Sequence, residues 1–228
     1  MRILALETTS PHCSVALIEG ERVVTSVQTL QPSARAENTL ETIDRALKDA
    51  DWEKSSLARV AVGIGPGSFT GVRVGIAIAE GIASGLGIPL IGIVSLRAMA
   101  AGVPASEQRL RCPVLDARRS ELFVAAYAAD GSEKLAPQLL PRADALNQLT
   151  QMLGCKPLLL GVTAREIAEE QDRSDAELTL YPNATCVALA ALHEAPPSEP
   201  VLPLYIRDAD VTLPNLPPSP LLPQQGDS

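Results

Sequence analysis

The densest run of residues suited to chemistry is Gly63-Ile64-Gly65-Pro66-Gly67-Ser68-Phe69-Thr70-Gly71-Val72-Arg73. Glycines let a backbone turn tightly, and the free N–H groups at a helix start can face an anion. Two readings of the run are open, a phosphate cradle and a structural turn. It lacks the Gly-Lys-Ser/Thr end of a P-loop and the spacing of a dinucleotide fingerprint. Arg73, one helical turn in, stands where it can meet an anion or a partner's carboxylate. Glu7 and Asp116 each close a short apolar run. A carboxylate at such a strand end can hold a metal or orient water near phosphates, or it can simply be solvated.

Other chemistries lack their residues. The only histidines are His12 and His193, with no HxxxH, HExxH or His/Cys cluster, so no metal site is expected. No GxSxG elbow is present. Cys13, Cys112, Cys155 and Cys186 lie far apart without a CxxC pair, which reads as small core thiols in a reducing compartment. The 228 residues carry 19 Lys and Arg against 27 Asp and Glu, a net charge of −8. That balance excludes a chain that grips nucleic acid or an anionic membrane by itself. Arg2 precedes only four apolar residues before Glu7, too few for a secretory signal. Gly81–Leu96, the most lipid-like stretch, is short and holds four Gly and a Pro. A cytoplasmic chain without a membrane anchor is expected.

These residues must be positioned by alternating strands and helices. Ile3–Glu7, Cys13–Glu19 and Arg22–Thr29 read as strands joined by polar turns, the second at Glu19-Gly20-Glu21. Pro32 and Ser33 open a helix with Leu40, Ile43, Leu47 and Ala50 at helical spacing. Arg59–Ile64 alternates as a strand, the glycine run follows, and a small-residue helix continues to about Leu86 before a buried strand at Pro89–Val94. In that helix Gly71, Gly75 and Ala79 form a stripe where another backbone can approach, while Val74, Ile78 and Ile82 make the more apolar face for its own sheet. The second half repeats the plan. A strand ends at Asp116, the turn Ala117-Arg118-Arg119-Ser120 leads to Leu122–Tyr127, and Asp130-Gly131 turns the chain again. Helices follow around Arg142–Leu153, Ala164–Gln171 and Ala184–Leu192, with a strand at Pro157–Leu160. The acids are 109 positions apart and the turn glycines, Gly20 and Gly131, 111 apart.

An α/β chain of two duplicated βββαβα subdomains is the plan of the actin-like ATPase (ASKHA) fold. The halves are expected at 1–102 and 103–212, followed by a tail at 213–228 with five prolines in 16 residues, extended or disordered. The turns at Thr8 and Arg118 would then face each other across an interdomain cleft. Glu7, Thr8, Gly65, Gly67, Asp116 and Arg118 are its nucleotide candidates.

Several segments resemble the TsaB (YeaZ) family. They are Ile3-Leu4-Ala5-Leu6-Glu7-Thr8-Thr9, Cys13-Ser14-Val15-Ala16-Leu17, the run Gly65–Arg73 with Gly75, Asp116-Ala117-Arg118-Arg119-Ser120-Glu121-Leu122-Phe123 with Tyr127, and Pro203-Leu204-Tyr205-Ile206-Arg207. The likeness extends from residue 1 to about 210. It departs from the family at Glu7, where Asp is commoner, at Glu37-Asn38, where a His-Ser pair is frequent, and in the tail.

The resemblance implies a non-catalytic subunit of tRNA threonylcarbamoyladenosine synthesis. In the related catalytic subunit, TsaD, a His-x-x-x-His pair holds the metal; here the comparable helix reads Ala36-Glu37-Asn38-Thr39-Leu40-Glu41. The implied partner is TsaD, joined by the ATPase TsaE. The chain would form a homodimer when alone and reach tRNA only through the complex. The implied partner interface is Ser68, Phe69, Thr70, Gly71, Val72, Arg73, Gly75, Ile76 and Ala79. No intrinsic cofactor is implied, with ATP or ADP placed at the interface with TsaD. The alternative is an actin-like phosphotransferase, with Glu7 and Asp116 around a metal–ATP and Leu160-Gly161-Val162-Thr163 against the adenosine. A metalloprotease lacks its ligands.

Overall fold

The computed structural model describes residues 1–30, 36–170, 176–178 and 181–206. The helix start read at Pro32-Ser33, Arg207 of the closing motif and the proline-rich tail lie outside the described residues.

The first half runs β1 (Arg2–Glu7), β2 (His12–Glu19), β3 (Arg22–Leu30), α1 (Ala36–Asp49), β4 (Arg59–Gly63), α2 (Phe69–Leu86), β5 (Leu90–Ile93) and α3 (Ser95–Ala101). The second runs β6 (Arg111–Asp116), β7 (Glu121–Tyr127), β8 (Glu133–Pro141), α4 (Ala145–Leu153), β9 (Leu158–Leu160), α5 (Val162–Glu170), β10 (Ala176–Leu178) and α6 (Ala184–Ala191). Each half is therefore the expected βββαβα followed by a further strand and helix.

The duplication is visible in the pairing. The first sheet has the order β3-β2-β1-β4-β5 and the second β8-β7-β6-β9-β10, with matching antiparallel and parallel neighbours. Both sheets are covered on both faces, which is why β1 and β4 read as unbroken apolar runs. Leu4, Leu6, Val60 and Val62 point to one side, where Ile43 and Leu47 of α1 and Val72, Ile76 and Ala79 of α2 meet them. Ile3, Ala5, Ala61, Ile91 and Ile93 point to the other side, onto Ala184, Val187, Ala188 and Ala191 of α6. The last helix of the second half thus covers the first sheet. Reciprocally, Leu96, Met99 and Ala100 of α3 pack with Tyr127 and Leu158 of the second sheet. Leu146 and Leu149 of α4 and Ile167 of α5 cover its outer face.

Buried arginines close the two inner helices. Arg59 Nη1 donates to the carbonyls of Ala191, at the end of α6, and of Glu194 beyond it, at 2.7 and 2.8 Å. Arg111 donates to the carbonyls of Ala100, in the last turn of α3, and of Pro104 and Glu107 beyond it. Each cation satisfies orphan carbonyls at the negative end of a helix.

By length and composition α2 could cross a membrane, but its buried side lies on the first sheet. Its ends are set locally. Ser68 caps the start, its Oγ accepting from Gly71 N at 3.2 Å, and Gly87 at φ 65° ends it in the left-handed region. Its glycines serve two purposes. A Cβ on Gly71 would overlap the Thr8 carbonyl and one on Gly75 the Thr8 hydroxyl, whereas one on Gly81 would meet nothing within 4 Å. Gly71→Ala and Gly75→Ala should each destabilise by about 1–3 kcal/mol. Gly81→Ala should stabilise by roughly 0.5–1 kcal/mol through helix propensity. Urea denaturation of the three variants checks the contrast, and equal effects would contradict the packing described.

Candidate functional site

Strand β1 ends where β4 runs into the glycine loop, so Glu7 sits against that loop. Its side chain is fully buried, with 0% exposure. Oε1 accepts from Thr9 N at 2.5 Å and Oε2 from Ser95 Oγ at 3.1 Å. Ser95 Oγ lies 3.0 Å from Thr9 Oγ1, and Ser95 N donates to the Gly65 carbonyl at 2.8 Å. Gly63 presses on the carboxyl so closely that a Cβ there would overlap it. Loss of hydration raises the Glu7 carboxyl above its ordinary value, against the hydrogen bonds from Thr9 and Ser95 that pull it down.

The rest of the loop is tied inward as well. Ser68 N donates to the Thr9 carbonyl at 2.7 Å, and Thr8 Oγ1 donates to the Gly71 carbonyl at 2.7 Å. A Cβ on Gly67 would overlap the Thr9 carbonyl, and Gly65 holds φ 97°. Two N–H groups that a phosphate cradle would offer, on Ser68 and Gly71, therefore already have partners within the chain. The geometry is that of a structural turn. Glu7 and Thr8, read as cleft residues, are enclosed; a strand-end acid held by hydroxyl and amide donors needs no solvent.

Asp116 has the opposite surroundings. It is exposed, and its Oδ1 accepts from Arg118 N at 2.8 Å. Arg118, Arg119 and Ser120 all take positive φ, at 65°, 54° and 57°. Non-glycine residues pay about 1 kcal/mol or more each for that conformation. The turn is closed by Ala117 N to the Glu121 carbonyl at 3.0 Å and Arg142 N to the Ser120 carbonyl at 2.8 Å.

The residues read as one interface are split by the helix. Gly71, Val72, Gly75, Ile76 and Ala79 are buried in the chain's own core. This corrects the expectation of a free small-residue stripe: the glycines seat α2 on Thr8, while of the face expected on the sheet Ile78 is buried in the core and Val74 and Ile82 pack half-buried against it. Ser68, Phe69, Thr70 and Arg73 are exposed, and Ala77 and Glu80 continue that outward line.

Two residues stand out only in three dimensions. Ser95 stands between Val94 and Leu96, and no local signal marks it as a partner of Glu7. Tyr205, in the closing motif, stacks 5.5 Å from Phe69 and accepts a hydrogen bond from Arg73 Nε at 2.9 Å. Both motifs are visible in the sequence, but their meeting across 132 positions is not. His12 packs 4.8 Å from Tyr181, away from the glycine loop's partners.

The raised Glu7 carboxyl has a defined consequence. The folded state holds its proton more tightly than the unfolded state, so wild-type stability should fall as pH rises from about 4.5 through the folded value. Glu7→Gln, which keeps an acceptor for Thr9 N, should lack that fall, so its advantage should widen with pH. Thermal melts of both proteins between about pH 4 and pH 8 check this. Parallel profiles would contradict it.

The profile of the TsaD family, described as tRNA N6-adenosine threonylcarbamoyltransferase, matches residues 30–179. The TsaB protein of Escherichia coli, named for tRNA threonylcarbamoyladenosine biosynthesis, is 37% identical over 131 residues, which are 57% of this chain and 56% of that protein. The chain thus matches about half the length of that curated relative. An uncharacterised protein of Mycobacterium tuberculosis is 31% identical over 215 residues, 91% of this chain and 92% of its own. The crystallised YeaZ of Pseudomonas aeruginosa superposes with a TM-score of 0.67 at 24% identity, covering 90% of this chain and 99% of that one, a likeness of fold. The span of the family profile and the TsaB identities agree with the glycine-loop and aspartate-turn motifs, and the chain belongs to the TsaB (YeaZ) family.

Proposed function

We propose that this chain is the non-catalytic subunit of a tRNA threonylcarbamoyladenosine synthesis complex. In this reading it binds and stabilises TsaD for threonylcarbamoyl transfer to the adenosine next to the anticodon. The observation that carries the reading is the closed state of the β1 end. An actin-like phosphotransferase uses a strand-end carboxylate open to a metal-bound nucleotide. Here Glu7 is buried, loss of hydration raises its carboxyl above the ordinary value, and both oxygens are used on Thr9 and Ser95. What the loop does instead is hold α2 rigidly, with Phe69, Thr70, Arg73 and Ala77 facing outward.

TsaD would dock on that outward face. TsaE would join the pair, ATP or ADP would sit at the TsaD interface, and the same face would pair with itself when TsaD is missing. With a net charge of −8, the chain would meet tRNA through its partners. The setting would be the cytoplasm.

Size exclusion with light scattering, using TsaD from the same genome, tests the reading. Wild type should form a stoichiometric complex, and Ala77→Arg, which adds a charged side chain at an exposed position, should weaken it by ~10-fold or more. Failure of wild type to bind TsaD, with or without ATP, would sink the proposal. ATP turnover by the isolated chain that is lost in Asp116→Asn would favour the phosphotransferase reading instead.

A further inference from the structure

Arg73 is the single charged residue in the first two turns of α2. Its guanidinium carbon lies 3.7 Å from the centre of the Phe69 ring and 5.9 Å from that of Tyr205. Its Nε is committed to the Tyr205 hydroxyl. Among the described residues Nη1 and Nη2 have no partner. Phe69 and Tyr205 are 47% and 48% exposed, large values for aromatic side chains that also stack on one another. The tyrosine is placed by backbone: Leu204 N donates to the Ile64 carbonyl at 2.8 Å, pinning the C-terminal segment beside the glycine loop.

Three physical features converge here. A stacked guanidinium with Nε already bonded has lost much of its rotamer freedom, so ordering it on binding costs less. The remaining pair of N–H groups forms a planar fork matched to a carboxylate. Arginine and tyrosine on an exposed aromatic surface make the composition of an interface anchor. Among the described residues of α2 the next acid is Glu80, seven positions and about 10 Å further along the helix. A nucleic-acid phosphate is the poorer occupant, since a chain of net charge −8 that presents one cation among the described residues of α2 lacks the clustering that phosphate binding needs.

Resting on the proposed function, we infer that Phe69, Arg73 and Tyr205 form a preorganised receptor for an Asp or Glu side chain of the protein subunit that docks on α2. The surface is composite: the loop helix supplies the cation and one ring, and the C-terminal segment supplies the other ring and the hydroxyl that aims it.

The test is calorimetric titration of the full chain into TsaD from the same genome at low and high salt. Arg73→Gln should weaken binding by ~10-fold or more and flatten its salt dependence. Arg73→Lys should keep the salt dependence without recovering wild-type affinity. Tyr205→Phe, which retains the ring and removes the acceptor of Nε, should weaken binding by roughly 2–5-fold. Both positions are exposed, and unchanged thermal melts will exclude misfolding. If Arg73→Gln binds within twofold of wild type while Ala77→Arg weakens binding by ~10-fold or more, docking on α2 stands and the carboxylate receptor falls. Loss of tRNA binding by the assembled complex with TsaD affinity unchanged would mean a phosphate ligand and overturns the inference. Failure of wild type to bind TsaD overturns the proposed function and this inference together.

Discussion

A carboxyl group at the end of the first strand has no access to water, and much of the first half is arranged around that fact. Its two oxygens draw three segments together: the turn after β1 through Thr9, the start of α3 through Ser95, and the end of β4 through Gly63, which must lack a side chain. Ser95 in turn holds the Gly65 carbonyl, and Thr9 holds Ser68 at the head of α2. Because a buried carboxyl without hydrogen bonds is costly, these contacts are mutually enforcing. The glycine loop is consequently a fixed element from which α2 emerges at one angle.

That angle decides which side of α2 is available to other molecules. Gly71 and Gly75 bring the helix into contact with Thr8, so the helix spends its small residues on its own sheet. The outward side is left with Phe69, Thr70, Arg73 and Ala77, a mixture of aromatic, cationic and small residues unlike the Gly71-Gly75-Ala79 stripe that the spacing suggests. A surface of this composition gains specificity from geometry, because an arginine fork and a tilted ring accept only partners that match both.

Much of the architecture was legible in the chain itself. Turn signals at Glu19-Gly20 and Asp130-Gly131 mark the hairpins, Ser68 and Gly87 bracket α2, and the paired acids betray the duplication. What stayed hidden has physical causes. Helix α3 is seven residues inside a continuous apolar stretch and shows no change of period, and β10 is three residues long. The face of α2 that is buried could not be chosen by hydrophobicity, because the closest approach belongs to glycines. The burial of Glu7 depends on Ser95, 88 positions away, and nothing local announces it. The Phe69–Arg73–Tyr205 cluster was visible as two motifs but not as one surface.

The exchange of inner helices imposes an order on synthesis. The face of the first sheet formed by Ile3, Ala5, Ala16, Ile18, Ala61, Ile91 and Ile93 is covered by α6. A ribosome that has finished β1 to β5 has therefore released a sheet with one apolar face still open, and the cover comes only once Ala184–Ala191 emerges. Domains usually fold as their own residues leave the tunnel. In this chain that face of the first sheet is covered only when α6 arrives. Arg59, made early, is then the latch that receives the carbonyls of Ala191 and Glu194, made late.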